Sequence, residues 1–194
     1  MFKTLYNHFK ATNPDFTDEE FNRVIKLASV KEFPKKTILM KQGDHVKEGG
    51  FVYKGCFRYF ITNSEGQERT TYFALEDYWI GNFGTIVNGE PSAQSIEALE
   101  DSIVIFFTIN DYRLLLDTCK GFRKFTYIKR SRAYDAAIKK IVDLHEPAET
   151  RYLNLMNKYP EAINRIPLYH IASYLGIKPE SLSRIRKKIA EEKA

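Results

Sequence analysis

The spacing of apolar and polar positions changes character twice along the chain. Up to about Val30 it is helical: Phe21, Val24, Ile25 and Ala28 share one face behind the cap sequence Thr17-Asp18-Glu19-Glu20. This pattern predicts a helix lying against the domain that follows. From Phe33 to about Thr108 the apolar runs shorten to TILM, FVYK, CFRYFIT, ERTTYFAL, DYWI, QSIEAL and SIVIFF. They are rich in β-branched and aromatic residues, with glycine breaks at Gly43, Gly49-Gly50, Gly55, Gly66, Gly81 to Gly84 and Gly89. Short strands with turns at this interval predict an antiparallel sandwich or barrel, with Asn63 to Gly66 at the tip of a hairpin.

The helical period returns at Asn110. Gly121 is the lone glycine up to His145, and no proline occurs before Pro147. A short helix near Tyr112 to Thr118 precedes one from about Phe122 to Leu144, about 35 Å long at 1.5 Å per residue. Tyr127, Tyr134, Ile138, Ile141 and His145 follow one another in heptad-like steps, and Ala133, Ala136 and Ala137 keep a neighbouring face thin. Such a stripe packs either on a second copy of the chain, the simplest partner, or on the chain's own sheet. Glu146-Pro147 ends this helix, and another near Ala148 to Lys158 carries Tyr152, Leu153, Leu155 and Met156.

The segment from Ile166 to Ala190 is patterned most sharply. Pro167 opens a short helix with Ile171, Ala172 and Leu175 on its apolar face, and Gly176 stands where that helix must stop. Pro179 starts a second helix. Leu182, Ile185 and Ile189 form its inner face, and Glu180, Ser183, Arg184 and Lys187 its outer one. Helix, glycine turn, helix with a polar, basic outer face is the helix-turn-helix signature. An ordinary helical hairpin with a solvated basic face has the same local pattern, so the surroundings must decide.

Charge favours the first reading. Residues 1–119 hold 13 Lys and Arg against 17 Asp and Glu, and residues 120–194 hold 17 against 8, so the net +5 divides into −4 and +9. A basic half beside an acidic one is the footprint of a polyanion partner. With 43% hydrophobic and 28% charged residues, the composition is that of a soluble globular protein. No apolar run reaches the roughly 20 residues of a membrane helix, and the N-terminal MFKTLYNHFKATNPDF lacks a secretory core. Cys56 and Cys119 are expected as buried thiols in a reducing cytoplasm. No nucleophile elbow, P-loop, metal-spaced His/Glu set or nucleotide loop occurs, so no catalytic residue and no metal ligand is nominated, and an enzyme is not expected.

In this order the elements resemble the CRP/FNR family of bacterial transcription regulators. The likeness spans nearly the whole chain. It rests on Lys41-Gln42-Gly43-Asp44, Val52-Tyr53-Lys54-Gly55, Gly66, and Gly81 with Pro91-Ser92-Ala93. It rests equally on Ile171-Ala172 through Gly176 and on Pro179-Glu180-Ser181-Leu182-Ser183-Arg184-Ile185. The resemblance implies an α+β protein in three parts. Residues 1–109 would form an N-terminal helix and a cyclic-nucleotide-binding-like β-barrel (a jelly roll), 110–145 the dimerisation helix, and 146–194 an all-α helix-turn-helix domain. It implies a homodimer built through Tyr127, Tyr134, Ile138 and Ile141. Double-stranded DNA would be a partner, RNA polymerase a further candidate, and no membrane is involved. Glu180, Ser183 and Arg184 would meet base edges, and Ser181, Arg186, Lys187 and Lys188 phosphates. The competing reading is a cyclic-nucleotide-binding-like signalling module whose C-terminal helices bind protein.

The effector pocket, by resemblance Tyr72, Gly81, Asn82, Phe83, Pro91, Ser92 and Ala93, departs from the family pattern. Cyclic-nucleotide binders carry Gly-Glu and then an Arg before Ser or Thr and Ala. Here Asn82 follows Gly81, and Pro91 or Ser92 takes the Arg position. Losing that charge-assisted bond removes roughly 1.5–3 kcal/mol, one to two decades of affinity, which argues against cyclic AMP or GMP. Two cysteines cannot hold the four-thiolate cluster of FNR. No pair among His8, His45, His145 and His170 nominates a haem site. The pocket is expected to take an uncharged or hydrophobic effector, or none. Family members continue into a β-hairpin wing past the recognition helix, whereas Ala194 lies four residues beyond Ala190. Affinity is therefore expected to lean on that helix and on dimer geometry.

Overall fold

A computed structural model describes residues 1–81, 89–161 and 163–192. Helices α1 (Phe2–Thr12) and α2 (Asp18–Lys26) open the chain. The helix expected to run to about Val30 is thus broken and shorter. At its start Thr17 accepts the Glu20 N–H at 3.1 Å, and the Glu20 carboxylate accepts the Thr17 N–H at 3.0 Å, a reciprocal cap that fixes where α2 begins. By Ser29 the chain has become strand β1 (Ser29–Phe33), paired antiparallel with a later strand through Val30↔Ile105. Its five residues, SVKEF, are too few and too polar to announce a strand. The ladder along its neighbour decides the conformation.

Strands β2 (Ile38–Met40), β3 (Glu48–Lys54), β4 (Phe57–Thr62) and β5 (Glu68–Ala74) follow. Then come β6 (Trp79–Ile80), β7 (Ser95–Ala98) and β8 (Ser102–Thr108). They make two four-stranded antiparallel sheets, ordered β1-β8-β3-β6 and β2-β7-β4-β5. Of the expected sandwich or barrel, the jelly-roll-like sandwich is what forms: among the described residues no ladder joins the two sheets, so the barrel is not closed. Two of the edge strands, β2 and β6, hold three and two residues, too few to bridge the gap. Phe57, Ile80, Ile96 and Val104 fill the space between the sheets, while Phe51 and Ile105 share the other face of β3 and β8, where Phe51 packs 5.0 Å from His8 of α1. Truncating a fully buried phenylalanine such as Phe51 costs about 3–5 kcal/mol. Gly50 lets β3 lie against β8, since a Cβ there would meet Val104 Cγ1 at 2.6 Å.

Helix α3 (Ile109–Thr118) leads into α4 (Lys120–Asp143). The first turns of α4 are buried through Phe122 and Phe125, with Phe125 4.2 Å from the Phe9 ring, and the Gly121 N–H donates to Glu20 at 2.6 Å. Beyond Thr126 the helix stands largely exposed. Helices α5 (Ala148–Lys158), α6 (Leu168–Leu175) and α7 (Pro179–Glu191) share a core of Tyr152, Leu155, Ile171, Leu175, Leu182 and Ile189. That core continues into Phe73, Leu75 and Leu99 of the sandwich, so the helical part packs directly on the sheet. Ser173 of α6 accepts the Thr70 N–H of edge strand β5 at 2.9 Å, which covers an edge that would otherwise pair with another chain. Arg165 grips Glu76 at 2.7 Å and also Glu100 from the helical side.

Candidate functional site

The turn between α6 and α7 is three residues long and depends on Gly176. Its φ of 67° is left-handed, and it lets the Ile177 N–H close on Ala172 at 3.0 Å. Pro179 then occupies the first turn of α7. Leu182 and Ile189 are buried, while Glu180, Ser181, Ser183, Arg184, Arg186, Lys187 and Lys188 are all exposed. Within this group the partners differ. The Ser183 hydroxyl donates to the Pro179 carbonyl at 3.1 Å. Lys188 pairs with Glu149 of α5 at 2.8 Å, so it ties α7 to α5, and its pKa is raised by that hydrogen bond. Lys187 reaches Glu191 at 3.7 Å, a loose exposed pair worth little. Glu180, Arg184 and Arg186 enter no ion pair among the described residues.

The four residues of the apolar stripe on α4 also face out. Tyr127 is 75% exposed, Tyr134 68%, Ile138 45% and Ile141 57%. Covering by the chain's own sheet is thereby ruled out.

Space for a ligand lies beside the sandwich, not inside it. Between the sheets a void of about 40 Å³ remains, little more than a water. A cavity of about 970 Å³ opens instead between strands β4 to β6 and the α4 helix, with Lys158 of α5 and Tyr174 of α6 completing it. A bulge shapes its strand wall. The β4–β5 register slips between Tyr59↔Tyr72 and Phe60↔Thr70, leaving Thr71 unpaired in the ladder. Lys140 donates to the freed Thr71 carbonyl, and Gln94 donates to the Thr71 hydroxyl at 2.9 Å. Tyr59 accepts the Gly81 N–H at 2.9 Å and stacks edge-on with Tyr72 at 5.7 Å.

Residues 30–119 match the family model of the cyclic nucleotide-binding domain. No curated protein matches the chain. Solved structures of CRP/FNR-type regulators share the fold. The c-di-GMP responsive global regulator CLP of Xanthomonas campestris superposes with a TM-score of 0.72 at 12% identity, over 91% of this chain and 93% of that one. FixK2 of Bradyrhizobium japonicum gives 0.73 at 16%, covering 85% of each. The catabolite activator protein of Thermus thermophilus gives 0.57 at 21%, over 92% and 85%.

Among the residues that match the family model, Tyr72 and Gly81 line the cavity. Asn82 and Phe83 lie outside the described residues. Pro91, Ser92 and Ala93 are not on the cavity wall: Pro91 bridges to His45, Ala93 is exposed, and Ser92 is buried with its N–H on the Asp44 carbonyl at 2.8 Å. The turn at Pro91 to Ala93 carries no cation, whereas the cavity wall carries cations from another element. Lys129, Arg130, Arg132 and Lys140 come from α4 and Lys158 from α5. A sequence signal for them existed. Positions 129, 133, 136 and 140 recur at helical spacing, so the alanines that thin α4 belong to one stripe with two lysines.

Proposed function

We propose that this chain is a homodimeric, sequence-specific DNA-binding transcription regulator of the CRP/FNR type that does not respond to cyclic AMP or GMP. The observation that carries the reading is α7, whose buried side is apolar and whose exposed side presents Glu180, Arg184 and Arg186 unpaired among the described residues. A guanidinium held free on a rigid helix can grip guanine through O6 and N7, and a carboxylate can accept from cytosine N4. The exposed stripe of Tyr127, Tyr134, Ile138 and Ile141 supports pairing of two α4 helices. Pairing would set two copies of α7 about one helical turn of DNA apart, roughly 34 Å. The chain would act in the cytoplasm beside RNA polymerase.

The reading against cyclic nucleotides has a physical basis. Arg58, the buried arginine of β4, is already held by Glu97 and Glu68 at 2.5 Å each, and the turn at Pro91 to Ala93 offers no cation. The test is fluorescence anisotropy with labelled random-sequence duplex across a salt series. Binding that weakens steeply with salt, unchanged by cyclic AMP, is the expected outcome. Salt-independent binding or none would favour helices that bind protein.

A further inference from the structure

Building on the proposed DNA-binding function, we propose that Arg165 is a positioning residue. It locks the helical part onto the sandwich in the arrangement that meets DNA, so α7 is placed without an effector. Arg165 lies between α5 and α6 and meets carboxylates from two separate turns of the sandwich. Its Nη1 and Nη2 donate to Glu76, between β5 and β6, at 3.0 and 2.7 Å. Its Nε donates to Glu100, between β7 and β8, at 3.3 Å, and Nη2 reaches the same carboxylate. Glu76 also accepts the Gly55 N–H, from the turn between β3 and β4, at 2.8 Å. One guanidinium thus fastens the helical part to a set of turns that are tied together.

Beneath this clamp lies an apolar seat. Cys56, Phe73, Leu75 and Leu99 belong to the sandwich, yet they share the core of the helices and not the core between the sheets. Apolar contact has no preferred direction and would let the helical part turn on its seat. Two bidentate pairs from different turns fix the angle. A single exposed ion pair contributes little, but here both edges of the fork are engaged and each carboxylate is partly buried. Without the guanidinium, Glu76 and Glu100 would face each other and repel.

The docked arrangement hides neither working surface. Glu180, Arg184 and Arg186 of α7 are exposed in it, and so are Tyr127, Tyr134, Ile138 and Ile141 of α4. Docking is therefore no block on α7. Four residues, Leu144 to Pro147, join α4 to α5. Parts joined by so short a connection ordinarily move against one another unless a good interface stops them. The apolar seat and its ionic clamp supply that interface.

Two native thiols report on the clamp without any DNA. Cys56 is buried in the seat, and Cys119 is buried in the other core. Alkylation of the full chain in native buffer is followed at each thiol, relative to the urea-unfolded chain. Arg165→Met should quicken labelling of Cys56 roughly tenfold and leave Cys119 within about twofold of wild type. Arg165→Lys, which keeps the charge and loses the fork, should fall between. Glu100→Gln removes one carboxylate from the clamp and should quicken the same thiol by less. This milder variant carries the test if Arg165→Met does not fold. Equal quickening of both thiols, or none at Cys56, would overturn the clamp. The second readout is spacing. Moving the half-sites of a retained duplex one base pair apart should cost the wild type about tenfold in affinity and Arg165→Met about threefold. Equal penalties would overturn the positioning role. A wild type that retains no duplex would count against the DNA-binding function, while the thiol rates would still decide the clamp.

Discussion

Two helices of this molecule turn a stripe of side chains to solvent, and the stripes are chemically opposite. On α4 the exposed positions are Tyr127, Tyr134, Ile138 and Ile141; on α7 they are Glu180, Ser183, Arg184 and Lys187. Water tolerates the second stripe at no penalty, whereas each large apolar group on the first forgoes roughly 1.5–3 kcal/mol of burial. The difference teaches what each surface lacks. An exposed apolar seam on a long helix calls for a like surface, and an exposed cationic face on a short, well-packed helix calls for an anion. In the proposed regulator one chain meets both needs by pairing through α4 and presenting α7 twice.

The comparison can be broken most forcefully at α4. Ile138→Asp would place a carboxylate in the seam, and self-association should weaken a hundredfold or more, about 3 kcal/mol. Sedimentation velocity at micromolar concentration would reveal this as a shift from dimer to monomer, with the circular dichroism spectrum unchanged. A wild-type chain that sediments as a monomer would remove the role assigned to the stripe.

The next effect comes from two histidines. His8 packs against the start of α4, 5.0 Å from Phe51 and 5.8 Å from Phe125, and His170 is buried in α6, 4.0 Å from the Tyr169 ring. Burial lowers both pKa values to about 4, helped by Lys129 and Arg132 for His8 and by Arg58 for His170. The unfolded chain, titrating near 6.5, binds more protons than the folded one between these limits. Stability is thus fully present above pH 6.5 and is lost as pH falls towards 4, by about 2 kcal/mol per histidine. Urea melts at pH 7 and pH 4.5 measure it. His170→Gln should reduce the difference.

On α7 the expected effects are smaller and more specific. Arg184→Ala should relax preference at one base pair by about 1–3 kcal/mol, read by competition between duplexes that differ at single positions. Equal loss on every duplex would demote Arg184 to a phosphate contact. Smallest of all, Lys187→Ala should weaken binding evenly and reduce the salt slope by about one, seen in anisotropy at several salt concentrations.

Much of this architecture is legible in the sequence, for reasons that differ by element. The α6 and α7 boundaries follow from Pro167, Gly176 and Pro179, residues whose backbone preferences act locally. The strands around Phe51, Phe57 and Ile105 follow from runs that must be buried. β1 is not legible, because its conformation comes from pairing along β8 and not from its own SVKEF. Two open sheets cannot be told from a barrel by turn spacing, since closure depends on edge lengths. The cavity's cations are half legible: the spacing of Lys129, Ala133, Ala136 and Lys140 marks one stripe of α4, but only packing shows that it turns towards Tyr72 and Tyr174. The bulge at Thr71, which engages Lys140, leaves no mark in the composition at all.

Selection from a pool of random duplexes, with sequencing of what the wild-type chain retains, tests the central claim most directly. The account predicts a near-palindromic site whose half-sites lie one helical turn apart, each with a G·C pair matched to Arg184 and Glu180. Retained duplexes that share no symmetric motif at low salt would contradict it.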